Sequence, residues 1–220
     1  MNDSMMSRRS FLKGTAVLAA MIPISGLLSA CASDGGSANS DNSGSEQAAS
    51  EQQSSSTSAA TSSILVAYYS AQGHTESVAQ AIADELSADT FVITPAEPYT
   101  TDELNYNNDD SRVSTEHLDE NRHVELETIA PDNFDLYTTV FVGYPIWWGE
   151  ASWVLDDFVS ENDFSGKVVI PFCTSASSPL GDSGALLADM AGTGEWQEGI
   201  RFQSSVDETE VREWVSGLEL

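Results

Sequence analysis

From about residue 63 onward, apolar residues in this chain gather in short unbroken runs rather than alternating with polar ones. Ile64-Leu65-Val66-Ala67-Tyr68-Tyr69 is the first. A continuous run of that length marks a strand covered on both faces, as in a parallel sheet. The period then changes: Val78, Ala79, Ile82, Ala83 and Leu86 recur at helical spacing, predicting a helix from Thr75 to Leu86 with one buried stripe. Thr90-Phe91-Val92-Ile93-Thr94 predicts a second strand. Pro95 and Pro98 open a long polar stretch to about Asn121, within which only Arg112 to Asp119 reads as helical. Thr139 to Val142 predicts strand three, and Ala151 to Val159 a helix with Val154, Leu155 and Phe158 inward. Lys167 to Phe172 follows as strand four, with a helix from about Ser183 to Met190. Gly199 to Phe202 is a short fifth strand, and Glu208 to Val215 the closing helix.

Five strands alternating with helices imply an α/β fold: a doubly wound parallel sheet with right-handed crossovers and helices on both faces. Ligands of such sheets bind outside the carboxyl ends of the strands, where the strand order reverses. With the order 2-1-3-4-5, that point lies between strands one and three. Two loops leave the sheet there. Ser70-Ala71-Gln72-Gly73-His74-Thr75 follows strand one, and Gly143-Tyr144-Pro145-Ile146-Trp147-Trp148-Gly149 follows strand three. A small-residue loop entering a helix aims unpaired N–H groups and a positive dipole end at a phosphate. A Pro-aromatic-aromatic-Gly loop adds flat apolar surface beside exposed amides. A phosphate cradle beside an aromatic wall suits flavin mononucleotide (FMN).

The two loops, in this order, resemble the phosphate and isoalloxazine loops of the flavodoxin-like family. The Pro-x-Trp-Trp-Gly form is similar to the branch that includes quinone reductases. The resemblance spans roughly Ser63 to Leu220 and implies a flavodoxin-like fold, FMN as cofactor and a role in electron transfer. It places the Ser70 and Thr75 hydroxyls on the phosphate, with Gly73 letting the backbone approach and Gln72 and His74 giving N–H groups. Pro145, Ile146 and Gly149 would shape the ring loop. Neighbours on a loop point in different directions, so one of Trp147 and Trp148 is expected to face the ring and the other to pack inward. Trp153 is expected to pack. A third loop, Thr174-Ser175-Ala176-Ser177-Ser178-Pro179-Leu180-Gly181, resembles the family's Thr-Ser-Gly-Gly-Ser-Gly. Thr174, Ser175 and Gly181 are expected at the cofactor, whereas Ala176, Ser177 and Pro179 stand where glycines are usual. Those exchanges remove conformational freedom and a donor, so the ring is expected to be held differently. Glu116, Asn121 and Arg122 loosely match an acidic-to-Arg stretch seen near the site in this family; the plainer reading is a surface ion pair.

The N-terminal sequence is an address. Ser7-Arg8-Arg9-Ser10-Phe11-Leu12-Lys13 resembles a twin-arginine export signal. The apolar run from Thr15 to Leu28 is interrupted by Pro23 and is short for a membrane span. Leu28-Ser29-Ala30-Cys31 matches a lipoprotein cleavage box that makes Cys31 the lipidated N-terminus. Ala32 to Ser62 holds no aromatic and no large aliphatic residue, so it is expected to be a disordered tether. The expected organisation is a signal over residues 1–30, a tether over 31–62 and one domain over 63–220, extracytoplasmic and anchored to the cell membrane.

Composition narrows the chemistry. The formal net charge is −27, and three of the eight basic residues (Arg8, Arg9 and Lys13) belong to the signal. That excess disfavours nucleic acid and electrostatic docking on anionic lipid. It suits either docking of a basic redox partner or plain solubility. With Cys31 committed to lipid, Cys173 has no intramolecular disulfide partner, and His74, His117 and His123 are too scattered for a metal. Electrons would therefore travel on a bound organic cofactor. There is no G-x-S-x-G elbow for a serine hydrolase. Three functions stay open: an exported, anchored FMN protein that relays electrons to a redox partner protein or small acceptor; an FMN-dependent NAD(P)H:quinone-type oxidoreductase; and a binding lipoprotein of the same fold without flavin. Against the second, no G-x-G-x-x-G loop is present.

Overall fold

The structure, a computed structural model, describes residues 63–220; the signal, the lipid site at Cys31 and the tether lie outside the described residues. The chain enters through β1 (Ile64–Tyr68), α1 (His74–Leu86) and β2 (Asp89–Val92). A long connection carrying α2 (Arg112–Leu118) leads to β3 (Thr139–Trp147) and a short antiparallel β4 (Glu150–Ala151). Then come α3 (Asp156–Glu161), β5 (Val168–Ser175), α4 (Ser183–Ala191), β6 (Glu195–Trp196), β7 (Ile200–Gln203) and α5 (Glu208–Ser216).

The sheet runs β2-β1-β3-β5-β6, with β7 also on β5 and β4 on β3. Except for the β3–β4 pair, every pairing is parallel. This is the expected 2-1-3-4-5 order, with one edge position filled by two pieces, β6 and β7. β6 was not expected, because two residues carry no period.

Both sheet faces are covered. On one, α1 and α5 bury Val78, Ile82, Val211 and Val215 against Val66, Phe141, Ile170 and Phe172. On the other, Val113, Phe158, Val159 and Leu187 pack with Leu65, Val140, Val142 and Val169. The unbroken apolar runs exist because each strand needs apolar side chains on both sides. Among the described residues no helix is long and apolar enough to cross a membrane.

β3 departs from expectation. It continues through Gly143-Tyr144-Pro145-Ile146-Trp147 instead of ending at Val142. Pairing with β5 persists to Pro145 opposite Thr174, and Ile146 and Trp147 then pair with Ala151 and Glu150. The ring loop is thus a strand end closed by a turn at Trp148-Gly149. The helix expected from Ala151 starts later, as a 3-10 turn over Trp153–Leu155 that passes into α3.

Candidate functional site

The first loop is shaped by its glycine. Gly73 sits at φ +87 just ahead of α1, a conformation that costs a side-chain-bearing residue but not glycine. The Ser70 hydroxyl accepts from the amides of Gly73 (3.1 Å) and Glu76 (3.2 Å), folding the loop back onto the helix start. The first amides of α1 have no carbonyl one turn back to bind, so they point out at the carboxyl end of the sheet. Thr75 is 1% exposed, and its Oγ1 lies 2.8 Å from Thr174 Oγ1. That bond ties the first loop to the third.

Between these loops lies a cavity of about 350 Å³. Ser70, Ala71, Gln72, His74 and Thr75 line it from the first loop, and Thr174, Ser175 and Ala176 from the third. Pro145, Ile146 and Trp147 close it from the end of β3, and Ser204 follows β7. Leu104 and Tyr106 border it from the long connection, where neither was expected. Their only signal was an isolated Leu and Tyr among Asn and Asp. No lining residue is Asp, Glu, Lys or Arg, although the chain holds 35 acidic residues. The donors offered are helix-start amides, hydroxyls and the Gln72 amide, with the His74 ring beside them.

The two tryptophans separate. Trp147 lines the cavity. Its ring is met by Tyr69 (centroids 5.7 Å, 87°), Tyr99 (5.5 Å, 74°) and Trp153 (4.8 Å, 67°). Trp148 takes φ +48, turns away and stays 43% exposed, its ring stacked on His117 at 4.4 Å. It is not packed inward as the paired reading required; Trp153, 2% exposed, is the buried ring. Gly149 (φ +90) and Gly181 (φ +57) approach each other outside the lining, a Cβ on Gly181 falling 3.8 Å from the Gly149 carbonyl oxygen.

The third loop keeps its shape without the usual glycines. The Ser175 hydroxyl donates to the Ser178 carbonyl. Arg201 donates from Nε to Ser175 Oγ and from its terminal nitrogen to Ser175 O, both at 2.9 Å. Tyr144, fully buried, meets Ser183 Oγ at 3.0 Å and so fixes the start of α4 behind the loop. Burial pushes the Cys173 thiol up to about 12, against the pull of Arg201.

Behind Trp147, Glu116 of α2 accepts from Tyr99 Oη (2.5 Å), Trp153 Nε1 (2.9 Å) and Arg112 Nε (2.7 Å). Burial first, then the bond to Glu116, raises the Tyr99 phenol well above its ordinary value. The Asn121 backbone N–H donates to Asp119 Oδ1 at 2.9 Å, so the Asp119 side chain caps the turn. Arg122 pairs with Glu150 at 3.1 Å and lies over Trp153 at 4.7 Å; it is not part of the lining. Among the described residues no group of His, Cys, Asp and Glu is placed to hold a metal ion.

Comparison with known proteins gives the family. The model of the family described as flavodoxin matches residues 63–218, and a twin-arginine translocation pathway signal sequence matches residues 5–22. The fold is similar to the crystal structure of a candidate flavoprotein from Bacteroides eggerthii DSM 20697, with 36% identity, TM-score 0.63, and 70% of this chain and 95% of that one covered. A second candidate flavoprotein, from Bacteroides uniformis ATCC 8492, gives 31% identity, TM-score 0.65, and coverage of 70% and 97%. No curated protein matches.

Proposed function

The chain belongs to the flavodoxin family, and on that premise we propose that it is an exported, membrane-anchored FMN protein that relays electrons. The observation that carries the cofactor assignment is the cavity itself: a helix start with spare amides, an apolar ring wall, and no carboxylate, in a strongly acidic chain. A terminal phosphate suits amides and a helix dipole, and a nearby carboxylate would repel it. The residues present fit the group. The amides of Gln72, His74 and Thr75, with the Ser70 hydroxyl, would hold the phosphate. Trp147 would flank the ring, while Pro145, Ile146 and the 174–176 strand end would meet its edge. When bound, FMN supplies the redox chemistry; the chain orients it, excludes water from one face and tunes its potential. Acidic surroundings and an apolar pocket both disfavour added negative charge, which lowers that potential.

The twin-arginine signal directs export across the cytoplasmic membrane. That route carries folded proteins, so the domain would cross already loaded. Cys31 would then hold it at the membrane through lipid. Cys31→Ala is expected to release the domain or strand it with its signal uncleaved, followed by membrane fractionation; a variant still membrane-bound after signal cleavage would remove the anchor from the reading.

Equilibrium titration of the apoprotein with FMN, riboflavin and flavin adenine dinucleotide tests the cofactor. FMN is expected to bind tightest, because riboflavin lacks the phosphate. Equal affinity for riboflavin would overturn the phosphate assignment, and no binding of any flavin would leave the flavin-free binding lipoprotein.

A further inference from the structure

We propose that Glu116 is a positioning residue that fixes the plane of Trp147 at the cavity wall; the consequence for a ligand rests on the flavin reading above, but the positioning itself does not. Trp147 is the only tryptophan of the lining, and three rings meet it close to edge-on. Edge-to-face contacts are weak individually and tolerate rocking. All three rings carry a polar hydrogen, and two of them, Tyr99 and Trp153, give it to the same oxygen, Glu116 Oε2. Bonds to a carboxylate are shorter and stronger than neutral ones. One side chain thus holds two of the three walls that hold Trp147.

The carboxylate is itself held. Arg112 gives Nε to Glu116 Oε1 and its terminal nitrogen to the Glu97 carbonyl at 2.7 Å, and its guanidinium lies 4.0 Å from the Tyr99 ring centroid. Both ionic side chains are mostly out of solvent, 22% and 17% exposed. α2 contributes no residue to the cavity lining; it reaches the rings behind the wall through the Glu116 carboxylate, with Arg112 over Tyr99 and His117 beside Trp153. The long connection therefore acts on the cofactor side twice: directly through Leu104 and Tyr106, and indirectly through Glu116.

The test compares purified full-length Glu116→Ala, Glu116→Gln and Trp147→Phe. Aromatic circular dichroism of the flavin-free protein reports the Trp147–Trp153 pair, and titration with riboflavin and FMN reports the wall. Glu116→Ala is expected to lose the same dichroic band as Trp147→Phe and to weaken riboflavin and FMN by one common factor, about tenfold. The FMN-to-riboflavin ratio stays at the wild-type value because the first loop is untouched. Glu116→Gln keeps an acceptor oxygen and is expected to recover most of the band and of the affinity. A wild-type band and wild-type affinities in Glu116→Ala would overturn the proposal. So would a Gln variant no better than Ala, with affinity falling only as thermal stability falls. If Glu116→Ala does not fold, the Gln variant decides on the same readouts. Absence of flavin binding in the wild type would sink the flavin reading alone, since the dichroic comparison still tests the hold on Trp147.

Discussion

At Gly143 the backbone of β3 passes over the ring of Phe172, and a Cβ there would stand 2.2 Å from Phe172 Cζ. Phe172 is fully buried, so its ring has nowhere to withdraw. Gly143→Ala is expected to cost about 1–3 kcal/mol through overpacking, read as a lower urea midpoint with an unchanged slope. A wild-type midpoint would mean that the strand shifts freely, which its pairing on both sides argues against. The sequence marked this glycine as a loop residue; close approach to a ring in the neighbouring strand is a tertiary fact with no local signal. The Trp pair shows the same limit. That Trp147 and Trp148 diverge was legible, but which one lines the cavity depends on φ at Trp148 and on His117, thirty-one residues earlier. Cys173 gives a simpler expectation. With its thiol pushed up to about 12 by burial, it should resist alkylation at pH 8 in the native protein and react once unfolded; rapid native labelling would mean that β5 opens.

Among the elements, those with a strong period were legible. α1, α4, α5 and the first strand end within a few residues of where the pattern put them, because packing and propensity agree there. β3 was cut short because Gly143 and Pro145 are strand-breaking signals; pairing with β5 and the hairpin to β4 overrode them. The 95–121 connection was read as a polar stretch with one helix and with Glu116 as either a residue near the site or half of a surface ion pair; Leu104 and Tyr106 went unmarked, since contacts across the fold leave no periodic trace. α3 carries a pH signature. Burial pushes Asp156 up to about 6 from its ordinary 3.8; Asp157 and Glu150 add to the rise, and Arg122 and His123 oppose it. A raised carboxyl pKa means the folded state binds the proton more tightly than the unfolded state between those values. Stability from this group is then lost as pH rises from about 4 to about 6 and stays lost above. Asp156→Asn should therefore raise Tm at pH 7.5 and do little at pH 4. An equal gain at both pH values would show that the effect is packing and not charge.

For the whole molecule, charge supplies a test of the proposed carrier against the reductase. Of the chain's eight basic residues, three lie in the signal. The remaining ones, Arg112, Arg122, Lys167, Arg201 and Arg212, are each engaged within the domain. Arg112, Arg122 and Arg212 pair with Glu116, Glu150 and Glu85, Arg201 braces Ser175, and Lys167 donates to the carbonyls of Phe134 and Tyr137. These five cations are far outnumbered by the carboxylates, which set the outward field. Such a field steers a basic redox protein and repels NAD(P)H, whose phosphates are anionic. Electron exchange with a basic donor protein should then fall steeply between low and high ionic strength, as the Debye length shrinks to ~8–10 Å near physiological salt. Direct turnover with NAD(P)H and a small quinone should be slow at any salt. Stopped-flow reduction of the FMN-loaded protein across a salt series separates the two. Fast, saturable quinone reduction by NAD(P)H with little salt dependence would replace the carrier with the NAD(P)H:quinone-type reductase. The exposed ring of Tyr106, on the cavity lining, would then be the first residue to test as that enzyme's substrate contact.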